Sequence, residues 1–272
     1  MSQDETSPAT DRGADPQGLE DVRMGFLEHL GELRRRILYS LAGLFVAFLV
    51  CWMFREQIYA FLELPLLDAA SRAATDEQVA NLHQEDLTEV FFTLLKSSLL
   101  AAAFAASPVI LYNIWKFVAP GLYPDEKRAV LPFITMGTVF FFLGGAFCYT
   151  VVIPYGYQFL FEFSEPYADP VLMIDTYFSL TIKLLLAFGV VFQLPVVTYF
   201  LSSIGILTHR ILLDQWRIAV VVAFILGAVL TPPEILTQAL LAGPMLLLYL
   251  LSVVIAWYQT RRREKRAAAD DS

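Results

Sequence analysis

Apolar positions fall in long runs along this chain, at 36–54, 97–118, 131–153, 178–201, 217–231 and 235–257, and charges gather between them. A helix needs about 18 or more apolar residues to cross a hydrocarbon core of about 30 Å, and it satisfies its own backbone groups while doing so. The pattern therefore predicts an all-α integral membrane protein with six transmembrane helices. The fifth run, from Arg217 to Leu230, would reach only about 21 Å at 1.5 Å per residue. "TPPE" at 231–234 turns it directly into the sixth, so a short fifth and sixth helix are expected as a hairpin. Pro108, Pro132, Pro154, Pro195 and Pro244 lie in or beside the runs, where freed carbonyls must be satisfied by neighbours. The expected result is a concave, kinked bundle.

The connections differ in charge. Arg34, Arg35 and Arg36 precede the first run, Lys116, Lys127 and Arg128 lie between the second and third, Arg210 and Arg217 between the fourth and fifth, and "RRREKR" follows the sixth. The alternate connections carry acids instead, among them Glu56, Glu63, Asp68, Glu85, Asp86, Glu89, Glu162 and Asp175. By the positive-inside rule the basic side is cytoplasmic, which puts both termini inside. Within the first outer segment "LTEVFFTLLKSSLL" has the spacing of an amphipathic helix lying along the outer surface. Residues 1–24 are polar, acidic and Pro-containing, without a basic n-region or an apolar h-region. They read as a disordered cytoplasmic tail, neither signal nor transit peptide. Residues 25–258 form the membrane domain, and 259–272 a basic then acidic cytoplasmic tail.

Composition agrees: of 272 residues, 57% are hydrophobic and 17% charged, with mean hydropathy +0.58, which is outside the soluble range. The net charge of −8 is an average over segments of opposite sign and says little about partners. Cys51 and Cys148 both fall in apolar runs and read as small buried hydrophobes. His29 and His209 are placed on the cytoplasmic side and His83 on the other, so no metal or proton relay is expected from them. No HExxH, GxSxG or phosphate-binding loop occurs, and neither an enzyme nor a cofactor is expected. Nothing points to nucleic acid. An ion-coupled small-solute transporter is the alternative, but it calls for broken helices in matching halves and an ionisable cluster at mid-membrane. The buried polar set expected here is sparse: Lys183, Gln193 and Gln238.

Five stretches carry a family resemblance: "FLEHLGELRRRIL", "SPVILYNIWKFVAPGLYPDEKRAVLPF", "AFCYTVVIPYGYQF", "YFSLTIKLLLAFGVVFQLPVV" and "LTPPEILTQALLAGPMLLLY". Over roughly residues 25 to 258 the chain resembles TatC, the signal-peptide receptor of the twin-arginine protein translocase. The resemblance implies a non-enzymatic receptor for Arg-Arg signal peptides of folded precursors at the cytoplasmic face, driven by the proton-motive force. It implies TatA-like and TatB-like single-span subunits as partners, self-association, and contact with membrane lipids. In the absence of a transit peptide it implies a bacterial or archaeal cytoplasmic membrane. The signal-peptide-binding residues it implies are Glu32 and Glu126, with Arg34 supporting Glu32 or anchoring the helix to lipid phosphate.

Elementary chemistry is compatible with that role, because a guanidinium favours a planar carboxylate and two arginines favour two. The residues alone leave other readings open. Glu32 is three and four positions before Arg35 and Arg36, the spacing of a helical ion pair, and Glu126 follows Pro124 and Asp125, where acids favour a helix N-terminus. Gln193 stands where many relatives carry Glu. It either ties two helices together or lines the concave face, and it cannot titrate. Thr231 and Gln238, flanking the hairpin turn, match the patch that docks partner helices in the family; an internal hydrogen bond is the other reading. Lys183 is expected to extend its stem outward, toward Asp175.

Overall fold

The structure is a computed structural model. It describes residues 16–72, 82, 83, 86, 88–118, 130–164, 173–230 and 235–270, with the backbone alone at the ends of several stretches. Its helices are α1 (Pro16–Met53), α2 (Arg55–Arg72), α3 (Glu89–Val118), α4 (Val130–Phe147), α5 (Ile153–Ser164), α6 (Ile174–Val191), α7 (Leu194–Ser203), α8 (His209–Asp214), α9 (Trp216–Leu230) and α10 (Ile235–Asp270). One π-helical segment, Cys148–Val152, joins α4 to α5.

Five helical segments are long and apolar enough to cross a membrane: His29–Met53, Glu89–Phe117, Pro132–Phe163, Ile174–Ser203 and Gln238–Arg262. The shorter Trp216–Leu230 is also apolar. The chain is thus a multi-pass, all-helical membrane protein among its described residues. Two of the segments are interrupted. Ahead of Pro154, which cannot donate to the ladder, α4 widens into the π segment, a common site for absorbing an irregular turn. At Phe192 and Gln193, just before Pro195, α6 breaks and restarts as α7.

Three boundaries correct the sequence reading. Helix α1 begins at Pro16, so residues 16–24 are helical where a disordered tail was expected; residues 1–15 lie outside the described residues. The stretch "LTEVFFTLLKSSLL" does not lie on the surface as a separate helix. From Glu89 onward it is the first part of α3, because nothing that breaks a helix occurs before Pro108. The outer segment instead contributes α2, whose Leu62, Leu66 and Ala69 are buried where it packs on α5 and α3. Finally, α10 is not short. Its 36 residues continue through "RRREKRAAAD", since Arg, Lys, Glu and Ala are all good helix formers. Only α9, at 15 residues, keeps the expected short length.

Two buried clusters hold the bundle. The larger joins α2, the π segment, α5, α6 and α10 around Leu66, Cys148, Ile153, Tyr177, Phe178 and Phe188. The smaller joins α3, α4 and α7 through Leu111, Trp115, Phe133, Ile134, Val196 and Phe200. In contrast, α1 leans on α3 and leaves Phe45, Val46, Val50 and Met53 exposed, as a helix facing lipid can. Cys51 and Cys148 are free thiols.

Candidate functional site

Side-chain hydrogen bonds and ion pairs group at a few places in the bundle. At one end the first turns of the apolar part of α1 meet the last turns of α3. His29 stacks on Phe117 with ring centroids 4.4 Å apart and planes 20° from parallel. Gly31 faces open space, so the helix passes it without a clash, and Leu, Glu and Arg on either side favour the helical backbone. One turn further on, Arg36 Nη2 donates to Glu32 Oε1 at 2.9 Å. The acid precedes the base by four residues, the more favourable order for a helical pair. Side-chain exposure is 16% for Arg36 and 32% for Glu32, so the carboxylate remains within reach of a solute. The Nε of Arg36 is buried with no hydrogen-bond partner among the described residues.

Around this pair Arg34 is exposed, Arg35 Nε donates to Tyr39 Oη at 3.1 Å, and Lys116 Nζ donates to Tyr112 Oη at 3.0 Å. Of the two carboxylates implied for peptide binding, Glu32 is therefore seen in its surroundings. Glu126 lies outside the described residues, as does Asp125; Glu28 is described in backbone only. The two helices on either side of these undescribed residues pack together: Phe133 of α4 stacks on Trp115 of α3 at 5.3 Å. Trp115 in turn meets Phe200 of α7 edge-on at 4.5 Å.

In the middle of the bundle Gln193 is half-buried at the α6–α7 break. Its Nε2 donates to the carbonyl of Gly137 on α4 at 3.0 Å, while a Cβ at Gly137 would stand 3.2 Å from its Oε1.

At the other end, Lys96 Nζ donates to Asp175 Oδ1 at 2.6 Å and to Ser179 Oγ at 3.3 Å. The Asp175 amide donates to Glu89 Oε1 at 2.5 Å, and the Ile174 amide to the carbonyl of His83 at 3.0 Å. These contacts join the start of α3 to the start of α6. Lys183 is exposed rather than buried and its charge acts on Asp175, but the cation hydrogen-bonded to Asp175 is Lys96, which sequence reasoning missed. Its signal was a base set beside an acid-rich outer segment. The His29–Phe117 stack left no sequence signal, because neither its register nor its pairing follows from spacing.

Thr231, between α9 and α10 in the chain, lies outside the described residues. Gln238 is half-buried, and its backbone packs against α9: a Cβ at Gly227 would lie 3.3 Å from the Gln238 carbonyl oxygen. Tyr249 Oη donates to the carbonyl of Leu212, fastening α10 to α8.

An all-helical, multi-pass membrane protein is the class these features define. The family model described as Sec-independent protein translocase protein (TatC) matches residues 28–244. A Campylobacter jejuni protein of that name is 41% identical over 229 residues, covering 84% of this chain and 91% of the relative. The Aquifex aeolicus protein of the same name is 36% identical over 232 residues, covering 85% and 93%. A crystal structure described as the twin arginine translocase receptor TatC superposes with a TM-score of 0.76 at 35% identity, covering 85% of this chain and 99% of the other. The chain belongs to the TatC family. It is a component of a protein translocase and not an enzyme.

Proposed function

We propose that the protein is the receptor subunit that takes up Arg-Arg signal peptides of folded precursors, with Glu32 and Glu126 as the carboxylates that hold the two guanidiniums. The observation that carries this reading is the presentation of Glu32. It is a partly exposed carboxylate, already engaged by a guanidinium at 2.9 Å, on a stretch of α1 braced by the His29–Phe117 stack. Arginine is the residue type suited to it, since its fork can take both carboxylate oxygens at once. Support for Glu126 comes from the packing of both helix ends beside it, through Phe117 and Phe133. Arg34, exposed next to Glu32, anchors α1 to lipid phosphate.

In this reading α9 counts as a sixth crossing and the helix ends with Arg34, Lys116 and "RRREKR" face the cytoplasm, so both termini are inside a bacterial or archaeal cytoplasmic membrane. Residues 25–258 are the membrane domain, concave toward the Gln193 region, with polar tails before and after it. The short α9 and the start of α10, with Thr231 and Gln238, dock TatA-like and TatB-like single-span subunits, whose helices would otherwise leave a polar group unpaired in lipid. Copies of the chain associate with one another, and the proton-motive force drives transport.

Photo-crosslinking tests the reading. A twin-arginine peptide added to the reconstituted full chain should crosslink to probes placed at positions 29–33 and not to probes near Lys96 and Asp175. Solute flux through the protein alone, with no such crosslink, would favour a small-solute transporter instead.

A further inference from the structure

Resting on that reading, we infer that Arg36 is the resting-state occupant of the peptide site: it supplies Glu32 with a guanidinium that the incoming arginine must displace. Arg36 offers Glu32 the same chemical group as the ligand, four residues along the same helix, through one bond from Nη2 to Oε1 at 2.9 Å. Two guanidiniums crowded onto one carboxylate repel each other at contact distance, so the two occupants compete. The internal bond is easy to give up. It is made by a single nitrogen, the Nε of Arg36 takes no part, and the 32% exposure of Glu32 lets water cover the carboxylate in the exchange. The ligand can offer two parallel bonds where Arg36 offers one.

Between ligands the carboxylate therefore stays oriented and charge-paired, and peptide affinity is lowered by the worth of the internal pair. Neighbouring Arg35 provides the control, because it carries the same charge one position away but gives its Nε to Tyr39 at 3.1 Å.

The experiment titrates a synthetic Arg-Arg peptide onto the full chain in lipid nanodiscs. Arg36→Gln, which keeps a good helix former in place, should bind the peptide about two- to fivefold more tightly, the worth of a partly exposed helical pair. Arg35→Gln should gain clearly less, and Arg36→Lys should lie between Arg36→Gln and the unaltered chain. In a Glu32→Gln background the gain from Arg36→Gln should vanish. Equal gains from Arg36→Gln and Arg35→Gln would show a general field and overturn the inference. So would weaker binding by Arg36→Gln that Arg36→Lys restores, since Arg36 would then be holding Glu32 in place for the ligand. If Glu32→Gln alone leaves affinity unchanged, the receptor reading of Glu32 itself fails, and this inference with it.

Discussion

Gln193 reaches across the bundle to Gly137, its Nε2 donating to the backbone carbonyl at 3.0 Å. The bond joins the break between α6 and α7 to the middle of α4, where the chain would otherwise place an amide among apolar side chains. A hydrogen bond between helices in a membrane contributes about 0.6 to 2 kcal/mol, and an amide carries no charge at any working pH. Gln193→Leu should therefore lower stability by about that amount and leave export per folded molecule nearly intact. Thermal unfolding in detergent and export normalised to protein level provide the two readouts. Loss of export at normal abundance would mean that the amide acts in transport itself.

The packing of α4 on α6 depends on close backbone approach. A Cβ at Gly144 would lie 2.5 Å from the carbonyl oxygen of Phe188 and 2.9 Å from the side chain of Phe192, and a backbone atom cannot rotate away. Gly144→Ala should destabilise the fold by about 1 to 3 kcal/mol through overpacking. Gly156→Ala, with nothing within 4 Å of the added atom, should leave the melting temperature unchanged or slightly higher.

Lys96 and Asp175 tie the other end of the bundle, but their side chains are 42% and 53% exposed. Solvent screening holds such a pair below about 1 kcal/mol. A double-mutant cycle with Lys96→Met and Asp175→Asn should give a coupling energy under that limit, shrinking further in high salt. A coupling of several kcal/mol would mean that the pair is shielded from water in the membrane.

Gln238→Leu should reduce co-purification of a small single-span subunit while signal-peptide affinity stays the same, because the hairpin turn and the Glu32 end belong to different parts of the bundle. Unchanged co-purification would leave Gln238 as an internal residue of the α9–α10 hairpin.

Much of this architecture was legible in the sequence because lipid imposes a one-dimensional rule: an apolar run of sufficient length becomes a helix. The short α9 and the α6–α7 break beside Pro195 followed from run length and from proline. What failed were helix ends in polar sequence. Nothing in apolar spacing foretold that α1 would start at Pro16 or that α10 would run to Asp270, since good helix formers carry a helix on after the apolar run ends. The site was legible as chemistry and incomplete as geometry. The spacing of Glu32 and Arg36 announced an ion pair. The hydrogen bond of Lys96 to Asp175 depended on how α3 lies against α6, a contact 79 residues apart along the chain that no local pattern encodes.

The central claim is that Glu32 and Glu126 hold an arginine pair by charge-assisted, forked hydrogen bonds. It is tested most directly by titrating reconstituted protein, unaltered or carrying Glu32→Gln or Glu126→Gln, with an Arg-Arg peptide and its Lys-Lys counterpart. Each Gln variant should lose about 1 to 3 kcal/mol of affinity for the Arg-Arg peptide with little change in folding. The Lys-Lys peptide should already bind the unaltered protein poorly, because lysine lacks the planar fork, and the Gln variants should cost it much less. Equal losses for the two peptides would show that these carboxylates supply only a general negative field, and would contradict the account.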